Sequence, residues 1–208
     1  MVMLSSFKLE CNIETGIYTI ISLITSICPL CNGFLKHRDR KKRNVMNLIG
    51  ETRHFNLRRL LCVVCGKLHT EIPDIIQPFK HYDSETIQSV LDCDEKSKEC
   101  AADNSTISRW KADFAEMASD IEQRLASVYA HEVDNTVPLL SPFITLAALR
   151  ASGEYWLAFV MRLLINSGHK LCTRFAFYPY HFPATIQIVG KNDYGGGTKI
   201  VKTITDTG

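Results

Sequence analysis

Two Cys-x-x-Cys pairs, Cys28/Cys31 and Cys62/Cys65, stand 30 residues apart in this chain. A two-residue gap lets both thiolates of one tight turn reach a single ion, and two such turns supply the tetrahedral set that structural Zn²⁺ requires. Gly33 and Gly66 follow the second cysteine of each pair, where a bare backbone relieves crowding. The spacing therefore predicts one structural zinc held by Cys28, Cys31, Cys62 and Cys65. Two knuckles joined by antiparallel strands make a small zinc ribbon. Four thiolates leave no open position for water, so the metal is expected to hold the fold rather than to catalyse. His69, four residues after Cys65, could replace a cysteine as ligand, or stand beside the site or on the surface. Cys11, Cys93, Cys100 and Cys172 lack ligand spacing and read as ordinary thiols.

No positive n-region precedes the apolar stretch Ile17–Ile27, no small-residue cleavage site follows it, and it is too short for a bilayer. A reducing, cytoplasmic setting without a membrane is expected, and there paired cysteines bind metal rather than each other.

Charge is concentrated between the two pairs. Net charge over the 208 residues is only +2, but residues 36–61 hold nine Lys or Arg against Asp39 and Glu51, which makes that segment +7. The run Lys36, Arg38, Arg40, Lys41, Lys42 and Arg43 is expected at the tip of the ribbon's first hairpin. Arg58 and Arg59 extend it along the last strand. Cations set beside phosphates release counterions, the main sequence-independent source of nucleic-acid affinity.

The remaining chain reads as follows. Tyr18-Thr-Ile-Ile-Ser-Leu-Ile is β-branched and predicts a strand, within a segment 1–27 otherwise read as a lead-in. Val45–Leu48 and His54–Leu60 predict two more strands about the turn signal Gly50-Glu51. Asp83 or Ser84 can cap a helix carrying Ile87, Val90 and Leu91. Asp103-Asn104-Ser105 opens a longer helix, on which Ile107, Trp110, Phe114, Met117, Ile121 and Leu125 recur at helical spacing. A further helix is expected from about Glu154 to Asn166, ended by Ser167-Gly168. The fold class is therefore α+β. Residues 1–78 are read as the ribbon with its N-terminal strand, 79–130 as a helix-turn-helix, and 131–208 as a helical C-terminal extension with an irregular tail.

In the helix-turn-helix reading, a short helix containing Cys100 and Ala101 packs on the next one, and Asp103-Asn104 makes the turn. Ile107 and Trp110 face inward on the helix at 105–118. Ser105, Thr106, Ser108, Arg109 and Lys111 are left outward near the end that enters a major groove. Arg109 could read guanine, and the hydroxyls phosphate or base edges.

The strings CPLCNGFLKHRDRKKR, LRRLLCVVCGKLHTEIPDIIQPFKHY and NSTISRWKADF resemble an uncharacterised bacterial family of zinc-ribbon proteins associated with mobile elements. More loosely, they are similar to the N-terminal DNA-binding region of insertion-sequence transposases. The resemblance covers roughly residues 25–125 and implies recognition of double-stranded DNA. A transposase of that kind continues into a nuclease domain with three carboxylates. Here 83 residues follow Leu125, with sparse acids (Glu132, Asp134, Glu154, Asp193, Asp206).

A DNA-binding protein without a catalytic domain is the resulting expectation, the ribbon gripping the backbone and the helix reading bases. No nucleophile elbow, phosphate loop or HExxH motif points to an enzyme. The alternative is a protein- or RNA-interaction module, with the basic patch docking RNA or an acidic protein. The aromatic set Trp156, Phe159, Phe175, Phe177, Tyr178 and Tyr180 serves as core or as a homodimer surface.

Overall fold

The computed structural model describes residues 1–133, 145–152 and 155–169. Its strands are β1 (Val2–Leu4), β2 (Phe7–Asn12), β3 (Ile17–Ser22), β4 (Leu35–Met46), β5 (Thr52–Cys62) and β6 (Leu68–Pro73). Its helices are α1 (Ser84–Asp92), α2 (Asn104–Val133), α3 (Leu146–Ala151) and α4 (Trp156–Asn166), with a 3₁₀ turn at Glu95–Glu99. The class is α+β. All of these elements fall in one compact unit, Met1–Thr173. Among the described residues no helix is long and apolar enough to cross a membrane.

The six strands form one curled sheet around β5. Antiparallel β4 covers one edge of β5 along its whole length, from Leu35↔Cys62 to Met46↔Thr52. The other edge is shared. Parallel β3 takes His54 to Asn56, and antiparallel β6 takes Arg59 to Leu61. The hairpin partner β2 lies outside β3, and β1 runs parallel to β6. A bulge at His37/Asp39 breaks the β4 register.

The strand predicted at Tyr18 is β3. The pair predicted about Gly50 is β4 and β5, both longer than expected. The basic run is therefore not at a hairpin tip. It lies along β4, and the tip is the neutral turn Asn47–Gly50, closed by hydrogen bonds between Asn47 and Glu51. Strands tolerate consecutive charged residues where both faces are wet, and long basic side chains on an edge strand discourage stray pairing. The lead-in reading of residues 1–27 missed β1 and β2. The alternation Phe7-Lys-Leu-Glu-Cys-Asn was a strand signal, since alternate side chains fall on opposite faces.

Two apolar clusters sit on this frame. Leu4, Ile20, Val45, Phe55, Leu57, Ile72 and Ile76 pack on one side of the sheet. The second cluster is helical. The predicted stripe of α2 contributes Trp110, Phe114, Ile121 and Leu125, and α4 contributes Trp156, Leu157, Val160 and Leu164. Tyr82 meets Trp110 edge-on, and Phe114 meets Trp156 likewise. Asp83 caps α1 by accepting from the Thr86 amide, and α4 ends at Ser167 with Gly168 left-handed, as expected.

The short helix expected at Cys100 and Ala101 does not form. The 3₁₀ turn stops at Glu99, Cys100 is extended, and the Ala101 amide bonds Leu48 O in the β4–β5 turn. The α-helix preceding α2 is therefore α1, which ends at Asp92. Trp156 is core, while Phe159 is 37% exposed. Cys172, Phe175, Phe177, Tyr178, Tyr180 and the tail expected after Thr173 lie outside the described residues.

Candidate metal centre and basic ribbon

The two Cys-x-x-Cys turns are built alike. In the first, the Cys28 amide donates to Gly33 O and the Asn32 amide to Cys28 O. In the second, the Cys62 amide donates to Lys67 O and the Gly66 amide to Cys62 O. The residue after each second cysteine is left-handed, Asn32 at φ 55° and Gly66 at φ 67°. Asn and Gly are the residues that occupy that region at least cost. Gly33 is required for a different reason. A Cβ there would stand 2.7 Å from the Val64 side chain and 3.0 Å from Cys62 Sγ, so the two turns approach each other over a bare backbone.

This approach gathers the four thiols. The sulfurs of Cys28, Cys31, Cys62 and Cys65 all lie within 4.8 Å of one another, the one such cluster among the described residues. Cys28 Sγ is 3.7 Å from Cys65 Sγ, and Cys31 Sγ is 3.5 Å from Cys62 Sγ. Four sulfurs at ~2.3 Å from one Zn²⁺ in a tetrahedron are about 3.8 Å apart, so the donor set fits such an ion. The cluster can hold a metal ion. Its chemistry favours one as well. The Cys65 amide, 3.5 Å from Cys62 Sγ, is the largest influence lowering that thiol to about 6, against a partial desolvation that raises it. At Cys31 a hydrogen bond from Gly33 lowers the pKa. It is outweighed by desolvation and by the thiols of Cys62, Cys65 and Cys28, which push Cys31 up to about 12. A divalent cation among these sulfurs favours the thiolate form that the neighbouring thiols oppose at Cys31.

His69 stands beside this cluster. It is buried, its Nε2 lies 3.3 Å from Cys28 Sγ, and its Nδ1 lies 3.0 Å from the amino nitrogen of Met1. The His69 ring thus stands between an amino nitrogen and a sulfur of the cluster, within hydrogen-bond reach of both. Such a hydrogen bond orients a metal ligand from behind.

The eight basic residues singled out in the ribbon divide sharply. Three serve the fold. Arg43 donates to the backbone oxygens of Gln77 and Lys80, both at 2.8 Å. Arg58 pairs at 2.6 Å with Glu71, which is 1% exposed and also accepts from the Ser26 hydroxyl. Arg59 forks onto Asp39, whose carboxyl that guanidinium holds below its ordinary range. Arg38 lies 3.9 Å from the same Asp39 and is mostly exposed. The other four, Lys36, Arg40, Lys41 and Lys42, are exposed and form no ion pair among the described residues. Arg53 on β5 is a fifth exposed cation of this kind, in the charged segment but outside the predicted contact set.

The start of α2 is organised differently. The Asp103 carboxylate accepts from the Thr106 amide and from the hydroxyls of Ser105 and Thr106. The Ser105 hydroxyl, then the Thr106 groups, lower its carboxyl to about 2. Thr106 Oγ1 also accepts from Arg109 at 3.0 Å. Lys111 Nζ points at Cys93 Sγ, 3.2 Å away. Ser108 is exposed.

Residues 28–110 of the chain match the family described as a domain of unknown function (DUF6431). The matched stretch runs from the first cysteine to Trp110 in α2, and so takes in both knuckles, the β4–β5 ribbon and α1. No curated protein and no solved structure matches the chain.

Proposed function

We propose that the protein binds double-stranded DNA through the β4–β5 ribbon, with one structural Zn²⁺ on Cys28, Cys31, Cys62 and Cys65. The carrying observation is the row of exposed cations at Lys36, Arg40, Lys41 and Lys42, which form no ion pair among the described residues. Unpaired cations on one strand are the electrostatic footprint of a polyanion site, because each one near a phosphate releases counterions. The ribbon is also braced. Leu35 pairs with the metal-cluster residue Cys62 at one end, and at the other the turn residue Leu48 accepts from Ala101. A rigid strand pair presents its charges at fixed spacing, so little ordering entropy opposes binding. In this reading the two knuckles and their strands act as a zinc ribbon. The metal, closed by four thiolates, supports the fold while the protein acts as a binder and not an enzyme. The start of α2, preceded by α1, is a second and weaker contact of helix-turn-helix type through Ser108 and Arg109.

The test is duplex binding by zinc-loaded protein across a salt series. Changing Arg40, Lys41 and Lys42 together to Gln should weaken binding to every sequence and flatten the salt slope by about one unit per lost contact. The reading fails if the wild-type protein binds no duplex at low salt, or if the triple variant binds as tightly with the same slope. Salt-dependent capture of RNA or of an acidic protein, without duplex binding, would carry the alternative interaction module instead.

A further inference from the structure

We infer that base sequence is read by the solvent face of the β4–β5 ribbon, by side chains that stand among its cations, and not by α2. This rests on the duplex-binding reading above and names the element within it that discriminates.

The register fixes which side chains share a face. Cross-strand partners point to the same side, and alternate residues point to opposite sides. Arg43↔Phe55 and Val45↔Arg53 belong to the side that buries Val45, Phe55 and Leu57. The other side therefore carries Lys42↔Asn56, Asn44↔His54 and Arg40. Arg40, Lys42, Asn44 and His54 are exposed, and Asn56 is half-buried. No apolar residue interrupts this set.

These residue types are the ones that read base edges. Asn presents a donor and an acceptor in one plane, matching adenine N6 and N7, and Arg or Lys matches guanine O6 and N7. Asn44 is held in place, since His54 Nδ1 lies 2.9 Å from its Oδ1 and donates to it. The Asn44 amide hydrogens and the second lone pair of Oδ1 stay available. The dimensions agree as well. Two strands about 4.8 Å apart enter a major groove about 12 Å wide. The charge gradient sets the orientation. The same sheet continues through β3 to β2, which is neutral with Lys8 against Glu10, while the cations gather on β4 at the opposite edge. The β4 edge should therefore lie against the phosphates.

The start of α2 lacks these qualities. The hydroxyls of Ser105 and Thr106 are turned onto Asp103, which puts a carboxylate where a phosphate would approach. Lys111 is drawn toward Cys93.

The experiment has two stages. Randomised duplexes are first selected with zinc-loaded wild-type protein to obtain a preferred site. Binding to that site and to a scrambled duplex is then compared for wild type, Asn44→Ala/Asn56→Ala and Arg109→Ala. The double variant should lose about tenfold or more of the preference, the scale of one bidentate base contact. Its affinity for the scrambled duplex and its salt slope should not change. Arg109→Ala should keep the preference. Preference lost in Arg109→Ala and kept in the double variant would overturn the inference and return reading to the helix. Tight, salt-dependent binding by wild type with no enriched sequence would also overturn it, while leaving the phosphate contacts intact. Absence of any duplex binding by wild type is distinct, because it removes the reading on which the inference rests.

Discussion

His69 stands outside the four-cysteine cluster but against one of its sulfurs. Its imidazole is enclosed between Cys28 Sγ and the Met1 amino nitrogen, which fixes the orientation of the ring. Groups in that position tune metal affinity without contributing a donor, and their loss costs about 10–100-fold in affinity. His69→Ala should keep one metal per chain and weaken its binding by about that factor, read by competition with a chromophoric chelator. Loss of stoichiometric metal from this variant would make His69 a ligand. The four cysteines were legible in the sequence because their spacing is itself a geometric constraint. For His69 the sequence left three readings open, and the approach of β6 to Cys28 selects the one beside the site, which no local spacing could do.

Among the elements, the ribbon and the long helix were legible for opposite reasons. The stripe from Ile107 to Leu125 has the period of a helix, and α2 buries it against α4. The β4–β5 turn was found from its Gly50-Glu51 signal, but the length of the two strands and the fate of each arginine were not. Arg40, Arg43, Arg58 and Arg59 look alike in sequence. A buried Glu71, an Asp39 set beside the β4 bulge and the carbonyls of Gln77 and Lys80 decide which three are held, and all of those are tertiary neighbours. The misplaced helix at Cys100 has a similar cause. Its backbone is drawn to Leu48 in the ribbon turn, and a tertiary hydrogen bond overrides a weak local preference. At the N-terminus of α2 a pH dependence follows. Asp103 titrates at about 2 rather than at 3.8, so its capping contribution is complete above about pH 3.8 and is lost as pH falls through about 2. Thermal melts of wild type and Asp103→Asn at pH 5 and pH 2 isolate the effect. The gap between the two proteins should be present at pH 5 and shrink at pH 2. An equal gap at both would remove the carboxylate from the cap.

For the whole molecule, the α+β class and the elements β3, β4, β5, α1, α2 and α4 could be read along the chain, but β1, β2, β6, α3 and the sheet order could not. Strand β1 is three residues long and pairs with β6 about seventy positions away. Its attachment to α4 is more distant still. The Met3 amide donates to Asn166 Oδ1, and Asn166 Nδ2 donates to Met3 O, both at 2.9 Å. Closing that contact spans far more chain than bringing Cys28 to Cys65, at an added entropic cost of about 1.3 kcal/mol. It should therefore form after the rate-limiting step. Asn166→Ala is expected to speed unfolding while refolding changes by less than about twofold, measured by stopped-flow denaturant jumps. Refolding slowed in proportion to the lost stability would place the contact in the transition state instead. The order of events matters to a chain emerging from the ribosome. The knuckles and ribbon are complete once residue 73 is out, whereas α4 follows nearly a hundred residues later. A three-residue strand cannot hold itself in place during that interval. The edge of β6 is then open to neighbouring chains, and it consists of Glu71, Ile72 and Pro73. Pro73 cannot donate to an added strand, so the sequence closes that end of the edge to stray pairing until its own strand is secured.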